Sequence, residues 1–379
     1  MKLSRRSLLV SGAASTAAFT ATQVFRPQPA QAQNGVVNLY SSRHYNTDDE
    51  LYDNFTRQTG IQVNLLEGSA DELLERILAE GSNSPADVFM TVDAGRLWRA
   101  DQAGVFAPVS SETIESRIPA SLRHPDGHWF GFSKRVRVLM YNKDLVDPSE
   151  LSTYEDLASS KWRGKILTRS STNIYSQSLT ASIIEAAGMS GAQDWAEALV
   201  ANFARSPEGN DRAQIEAAAA GVGSIAIANT YYLPRYAKDE DPAKQAIFDK
   251  MGVFFPNQGG RGAHENISGA GLTANAPNRD NAIQFLEYLS SPVAQVFFAQ
   301  GNNEYPTVPG TPLDPIVAGF GYYEGAEMNV NVYGENQAEA VRIMDRAGWV
   351  KTYLPLEIAT HSNPTARALL TARAFFIND

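Results

Sequence analysis

The sequence contains no cysteine. That excludes disulfides, a thiolate nucleophile, cysteine-based zinc sites and a lipidated N-terminal cysteine. Histidine is scarce, with five in 379 residues, so a centre built from several imidazoles has few candidates. Basic charge is in deficit. Lys and Arg number 32 against 42 Asp and Glu, a net −10, which disfavours nucleic acid or anionic lipid as a partner and suits cations. The uncharged run from Leu8 to Phe25 is diluted by Ser, Thr, Gly and Ala, too polar for a membrane span. No internal repeat, Walker A or G-x-G-x-x-G motif is visible. Nor is there a Ser-His-Asp or paired-Glu arrangement with supporting context.

What is present begins with a charged, then apolar, N-terminus. Lys2, Arg5 and Arg6 precede the run, and Ser4-Arg5-Arg6-Ser7-Leu8-Leu9 is similar to a twin-arginine export signal. Ala30-Gln31-Ala32 supplies a small-x-small cleavage site. Residues 1–32 are therefore set apart from the fold, and the mature chain is expected to start near Gln33 in the periplasm. Export of a folded protein fixes the choice of metal before the periplasm is reached. Losing Lys2, Arg5, Arg6 and Arg26 leaves 28 basic against 42 acidic residues, or −14.

The remainder is 43% apolar and 20% charged over the whole chain, a globular composition. Strands are expected at 36–40, 61–65 and 87–91. They alternate with helices started by two capping boxes, Thr47-Asp48-Asp49-Glu50 and Ser69-Ala70-Asp71-Glu72, and a third helix at 96–102. Residues 129–132 and 135–142 read as paired strands, the second leading out of the first lobe. Further strands are expected at 165–168, 225–228 and 252–255, with helices at 175–187, 194–204, 215–220 and 280–289. This alternation predicts an α/β fold with a mostly parallel sheet flanked by helices.

Three tyrosine-bearing turns then line up. Tyr45 follows the first strand, Tyr175 follows the 165–168 strand, and Tyr231-Tyr232 follow 225–228. Ligands of open α/β sheets sit outside the carboxyl ends of strands, so all four phenols are placed at ligand-binding ends. Two adjacent tyrosines could not share a ligand from within a strand, where neighbours face opposite ways. At a strand-to-helix turn they can, and Pro234 confines the following helix to a distorted first turn. The bland alternative is that they are amphipathic core or rim residues.

Tyr40-Ser41-Ser42-Arg43-His44-Tyr45, Asn173-Ile174-Tyr175 and Asn229-Thr230-Tyr231-Tyr232 together resemble the ferric-iron-binding periplasmic proteins of the FutA/FbpA kind, as does Ile267-Ser268-Gly269-Ala270-Gly271. The resemblance covers roughly residues 35–349. It implies a two-lobed type II periplasmic binding protein, each lobe a mixed, mostly parallel sheet flanked by helices. The lobes would be 33–136 with 265–305, and 137–264 with 306–349, leaving an atypical tail at 350–379. It also implies iron in the cleft, held by Tyr45, Tyr175, Tyr231 and Tyr232, with His44 a fifth ligand or a close neighbour. The partner would be an ABC permease, and the protein a monomer without catalytic activity.

The chemistry agrees. Ionising a phenol of pKa near 10 at pH 7 costs about 4 kcal/mol, and four cost about 16. A neutral solute could not offset that. A hard, highly charged ion could, which favours Fe3+, with Fe2+ needing fewer ionised phenols. Four phenolates on a +3 ion leave −1, to be balanced by an arginine: Arg43, or more distantly Arg205. Two rival readings remain at this stage. One is the same fold binding a polyamine or phosphonate; the other is an exported metal-dependent enzyme, for which only His44 suits. His124 and His128 flank a hairpin-like surface turn, Pro125-Asp126-Gly127, where a metal role is the lesser alternative, and His264, beside the Gly-rich loop 257–262, is expected at a polar rim.

Overall fold

A computed structural model describes residues 35–349 apart from His44 and Asn46. The segment 1–32, expected to be an export signal, and the tail at 350–379 lie outside the described residues.

The chain opens with β1 (Val36–Ser41), α1 (Asp48–Thr59), β2 (Gln62–Glu67), α2 (Ala70–Glu80), β3 (Val88–Val92) and α3 (Ala94–Gln102). β2 and β3 both pair with β1 in parallel. The short α4 (Glu112–Arg117) leads to β4 (Phe130–Asn142), then come β5 (Ile166–Leu167), α5 (Ile174–Val200), α6 (Asp211–Ala219), β6 (Ile225–Asn229) and α7 (Leu233–Ala237). The chain continues through α8 (Pro242–Lys250), β7 (Met251–Phe254), β8 (Glu265–Leu272), α9 (Arg279–Leu289) and, farther on, β9 (Tyr305–Pro306). Among these residues no helix is long and apolar enough to cross a membrane.

The sheet is mixed, in the order β2-β1-β3-β8-β4-β6-β5. Its two ends are parallel ladders, β1 with its neighbours and β5 with β6. Its middle is antiparallel because two long strands run across it. Residues 130–136 of β4 pair with β8, while Arg137 to Tyr141 pair with β6. One strand therefore serves both halves of the sheet. The sequence pattern suggested two paired strands at 129–132 and 135–142, and that expectation fails. Ser133-Lys134 contains no Gly, Pro, Asn or Asp to make a tight turn, so the chain runs on and the irregularity is a register shift between Gly131 and Ser133, a local bulge rather than a turn.

The Ser-Gly-Ala-Gly run inside β8 lacks the β-branched signature of a strand, yet it is the central strand of one sheet half. A Cβ at Gly269 would lie 2.7 Å from the Phe130 carbonyl oxygen, and one at Gly271 would collide with the His128 carbonyl. Glycine is used for close backbone approach. Replacing Gly271 with alanine is expected to destabilise the protein by about 1–3 kcal/mol, the usual range for overpacking. Urea denaturation would measure this, and an unchanged midpoint would contradict the packing argument.

The two capping boxes fare differently. Ser69 and Glu72 form theirs in full. Thr47 makes no side-chain cap and bonds Asn302 instead, because Asp48 is drawn into a buried pair with Arg43 at 2.8 Å. The expected break between the 175–187 and 194–204 helices is a kink at Gly188 (φ 71°, ψ 173°) within α5.

Candidate metal centre

Three chain turns deliver four phenols to one cleft of about 420 Å³, lined by Tyr45, Tyr175, Tyr231 and Tyr232. Tyr45 follows β1. Tyr175 stands in the first turn of α5, where the Asn173 side chain accepts its backbone N–H at 3.1 Å and caps the helix. Tyr231 and Tyr232 occupy a single 3₁₀ turn, Thr230–Tyr232, between β6 and α7, whose start carries Pro234. All five residues of β6 are buried, as suits a strand covered on both faces.

The rings touch one another. Tyr175 and Tyr231 hydroxyls lie 3.4 Å apart. Tyr231 meets Tyr45 edge-on with centroids 6.3 Å apart, and lies 4.3 Å from Tyr232. His44, the least secure member of the implied ligand set, lies outside the described residues.

Burial sets the protonation of the metal-free site. Loss of water, reinforced by Glu304, pushes the Tyr45 phenol up to about 12. Loss of water, with Tyr45 opposite, does the same to Tyr231. Burial and the neighbouring Tyr231 raise both Tyr175 and Tyr232 well above the ordinary phenol value. All four are therefore neutral at pH 7. Ionising a phenol of pKa about 12 at that pH costs on the order of 7 kcal/mol, more than a solvated phenol requires. Only a highly charged ligand could recover it.

Guanidinium groups surround the phenols. Arg43 lies 4.6 Å from the Tyr45 ring centroid. Arg235 sits 5.3 Å from Tyr45 and Tyr231 and 5.6 Å from Tyr232. Arg135 lies 5.9 Å from Tyr231, and Arg169 5.8 Å from Tyr175. Arg43 is thus where the sequence placed it, but Arg205 is not among the cleft-lining residues and pairs with Glu208. Arg135 escaped the sequence reading. Its signal was the pattern Arg135-Val136-Arg137, two charges on one face of a largely buried strand.

These charges are held in place by buried acids. Glu304, fully buried, accepts from Arg43 at 3.1 and 3.2 Å, from Arg135 at 2.7 Å and from Ser133 at 2.8 Å. Burial alone would raise its carboxyl; Arg43 and Arg135 outweigh that and hold it below the usual range. Arg137 pairs with buried Asp211 at 2.5 Å, and Asp211 also accepts the Asn229 N–H. A third acid, Asp93, caps α3 and accepts from Ser178 of α5 at 2.8 Å and from Asn266 of β8 at 2.8 Å. It fastens the helix that carries Tyr175 to the opposite half of the sheet.

His264 departs from its expected rim position. It is buried at 2% exposure against Tyr333. Burial, with Arg261 beside it, lowers its pKa to about 3, so it is a neutral core residue. It packs there because its own N–H bonds the buried Tyr154 hydroxyl.

The chain matches the bacterial extracellular solute-binding protein family over residues 50–319. It is 55% identical to Iron uptake protein A2 of Synechocystis over 350 residues, 92% of this chain and 99% of that protein. It is 27% identical to the Fe(3+)-binding periplasmic protein of Serratia marcescens, over 86% of this chain and 93% of that one. Among solved structures, Trichodesmium FutA in complex with iron and citrate superposes with a TM-score of 0.82 at 61% identity, covering 83% of this chain and all of that one. Apo FutA2 from Synechocystis gives 0.80 at 56% identity, with 83% and 99% covered.

Proposed function

We propose that this chain, which belongs to the bacterial extracellular solute-binding proteins, captures iron as Fe3+ in its tyrosine cleft and hands it to an ABC permease for uptake. It is a binding protein and not an enzyme, with the type II periplasmic-binding-protein fold of its relatives. The observation that carries the reading is the meeting of four neutral phenols, from three separate turns, within a ring of arginines. Tyr45, Tyr175, Tyr231 and Tyr232 are the proposed ligands, with His44 a fifth or a neighbour. A polyamine is disfavoured because the wall is cationic. Arginines suit a phosphonate, but the phenols could only donate hydrogen bonds to it, whereas a hard cation uses them as anionic oxygen donors.

In this reading the chain is a monomer exported to the periplasm by a twin-arginine signal at 1–32. Its lobes are 33–136 with 265–305, and 137–264 with 306–349. The boundary is supported by β4, which changes partner from β8 to β6 at Val136 and Arg137. The return crossing runs beside it, where Arg137 donates its N–H to the His264 carbonyl at 3.0 Å. Tyr45 then belongs to one lobe and the other three phenols to the second, so that the ion favours the closed arrangement by bridging them.

Proton competition tests this. Each phenol that starts neutral releases one proton on binding, so apparent affinity falls up to about tenfold per proton for each unit of acidification. With four such phenols the drop reaches about 10⁴ per unit. Titrating the iron-loaded protein toward acid should bleach its visible band at a pH where circular dichroism still reports the fold. Loss of colour only when the fold melts would contradict protonation as the release step.

A further inference from the structure

A second cluster of metal-ligating groups lies away from the cleft, and none of its members lines it. Asp101, in the last turn of α3, faces His124 and His128, which flank the Pro125-Asp126-Gly127 turn. The His128 Nδ1 lies 2.5 Å from one carboxylate oxygen of Asp101, and the His124 Nε2 lies 3.5 Å from the other. The two imidazoles are parallel within 2° at a centroid distance of 4.6 Å. One ligand atom from each of the three residues can be chosen so that all lie within 4.8 Å of one another. Donors around a tetrahedral ion with bonds of about 2.0–2.1 Å stand about 3.3 Å apart. The observed separations bracket that value, and because an ion binds in the plane of each imidazole, one of the two stacked rings must turn out of the stack for both to reach it.

The turn that presents the histidines is fixed. Gly127 donates its N–H to the His124 carbonyl at 3.1 Å, and His124 donates to the Trp129 carbonyl at 2.9 Å. Gly127 adopts φ 74°, and a Cβ there would collide with the Val109 carbonyl. The Asp101 side chain is 9% exposed, His124 11% and His128 28%, which leaves an approach on the His128 side.

We propose that Asp101, His124 and His128 form a second metal site, for a divalent first-row transition ion, which clips the end of α3 to the hairpin leading into β4. Two imidazoles and one carboxylate suit such ions, whereas the phenols of the cleft suit a harder one. The two centres thereby sort metals by donor type. An imidazole binds an ion through an unprotonated nitrogen, so a ring proton facing Asp101 must move to the ring's other nitrogen. The His128 proton transfers to its other nitrogen. His124 must then give up the N–H it accepts from Asp126 at 3.1 Å on Nδ1, a cost that lowers the affinity of the site.

Zn2+ is the probe, titrated into the full chain against a chromophoric chelator, with and without iron so that the outcome does not depend on what the cleft holds. One Zn2+ per chain is expected, with Mg2+ unable to compete. Asp101→Asn and His128→Ala should each weaken zinc about 10–100-fold, at least the loss that follows removal of a supporting outer-shell group, and leave any visible iron band unchanged. Zn2+ should also raise the thermal midpoint of the wild type but not of Asp101→Asn, since a ligand that binds only the folded state stabilises it. Should His124→Ala fail to fold, the other two variants still decide the matter. Failure to retain zinc, or equal zinc affinity in wild type, Asp101→Asn and His128→Ala, would overturn the assignment.

Discussion

Replacing Tyr231 with phenylalanine is expected to lower iron affinity by a factor of roughly 70 to 700 while leaving the metal-free fold intact. Tyr231 is central among the four phenols: its hydroxyl meets that of Tyr175, and its ring contacts both Tyr45 and Tyr232. The substitution keeps those ring contacts and removes one anionic oxygen. If four ligands share about 10–16 kcal/mol, the scale of a small four-ligand metal site, each contributes about 2.5–4 kcal/mol, or roughly 70- to 700-fold. The metal-free protein should lose little, because the hydroxyl meets Tyr175 at a long 3.4 Å. Competition against a ferric chelator measures the first effect and urea denaturation the second. Equal iron affinity in Tyr231→Phe and wild type would remove this residue from the centre.

A loss of about 3–5 kcal/mol of folding stability is expected for Glu304→Ala. Breaking a buried pair leaves charge uncompensated in a low-dielectric interior, which costs far more than the pair itself contributes. Here one carboxylate serves two buried guanidiniums. Arg43 would retain Asp48 at 2.8 Å, and Arg135 would keep the Ser268 hydroxyl at 2.5 Å. The pH dependence has a definite sign. Glu304 is held below its ordinary range in the folded protein, so its stabilisation is present above the usual carboxylate pKa and fades as pH falls through the lowered value. The stability gap between wild type and Glu304→Gln should therefore narrow in acid. A gap of constant size from neutral to strongly acidic pH would contradict a charge-based role.

That the four phenols meet in one cleft was legible because each lies in the segment that follows a strand, and strand ends are local features. Tyr45, Tyr175 and Tyr231-Tyr232 needed only the pattern of an apolar run followed by a polar turn. What could not be read was whatever depends on distant partners. Glu304 is separated by 261 residues from Arg43 and by 169 from Arg135, and nothing local marks it. β8 was hidden for a different reason, since close backbone approach demands glycines that otherwise argue against a strand. The failed capping box at Thr47 follows the same rule as Glu304: Asp48 and Thr47 are claimed by Asn302, some 255 residues away. Local propensity gave way to a tertiary hydrogen-bond network.

The central claim is that the tyrosine cleft holds iron(III) as a phenolate complex. The direct measurement is to load the full chain with ferric citrate, desalt it, and determine iron per chain together with the visible spectrum. One iron retained per chain and a red-to-purple phenolate-to-iron(III) band are expected. A colourless protein that retains no iron after desalting would contradict it.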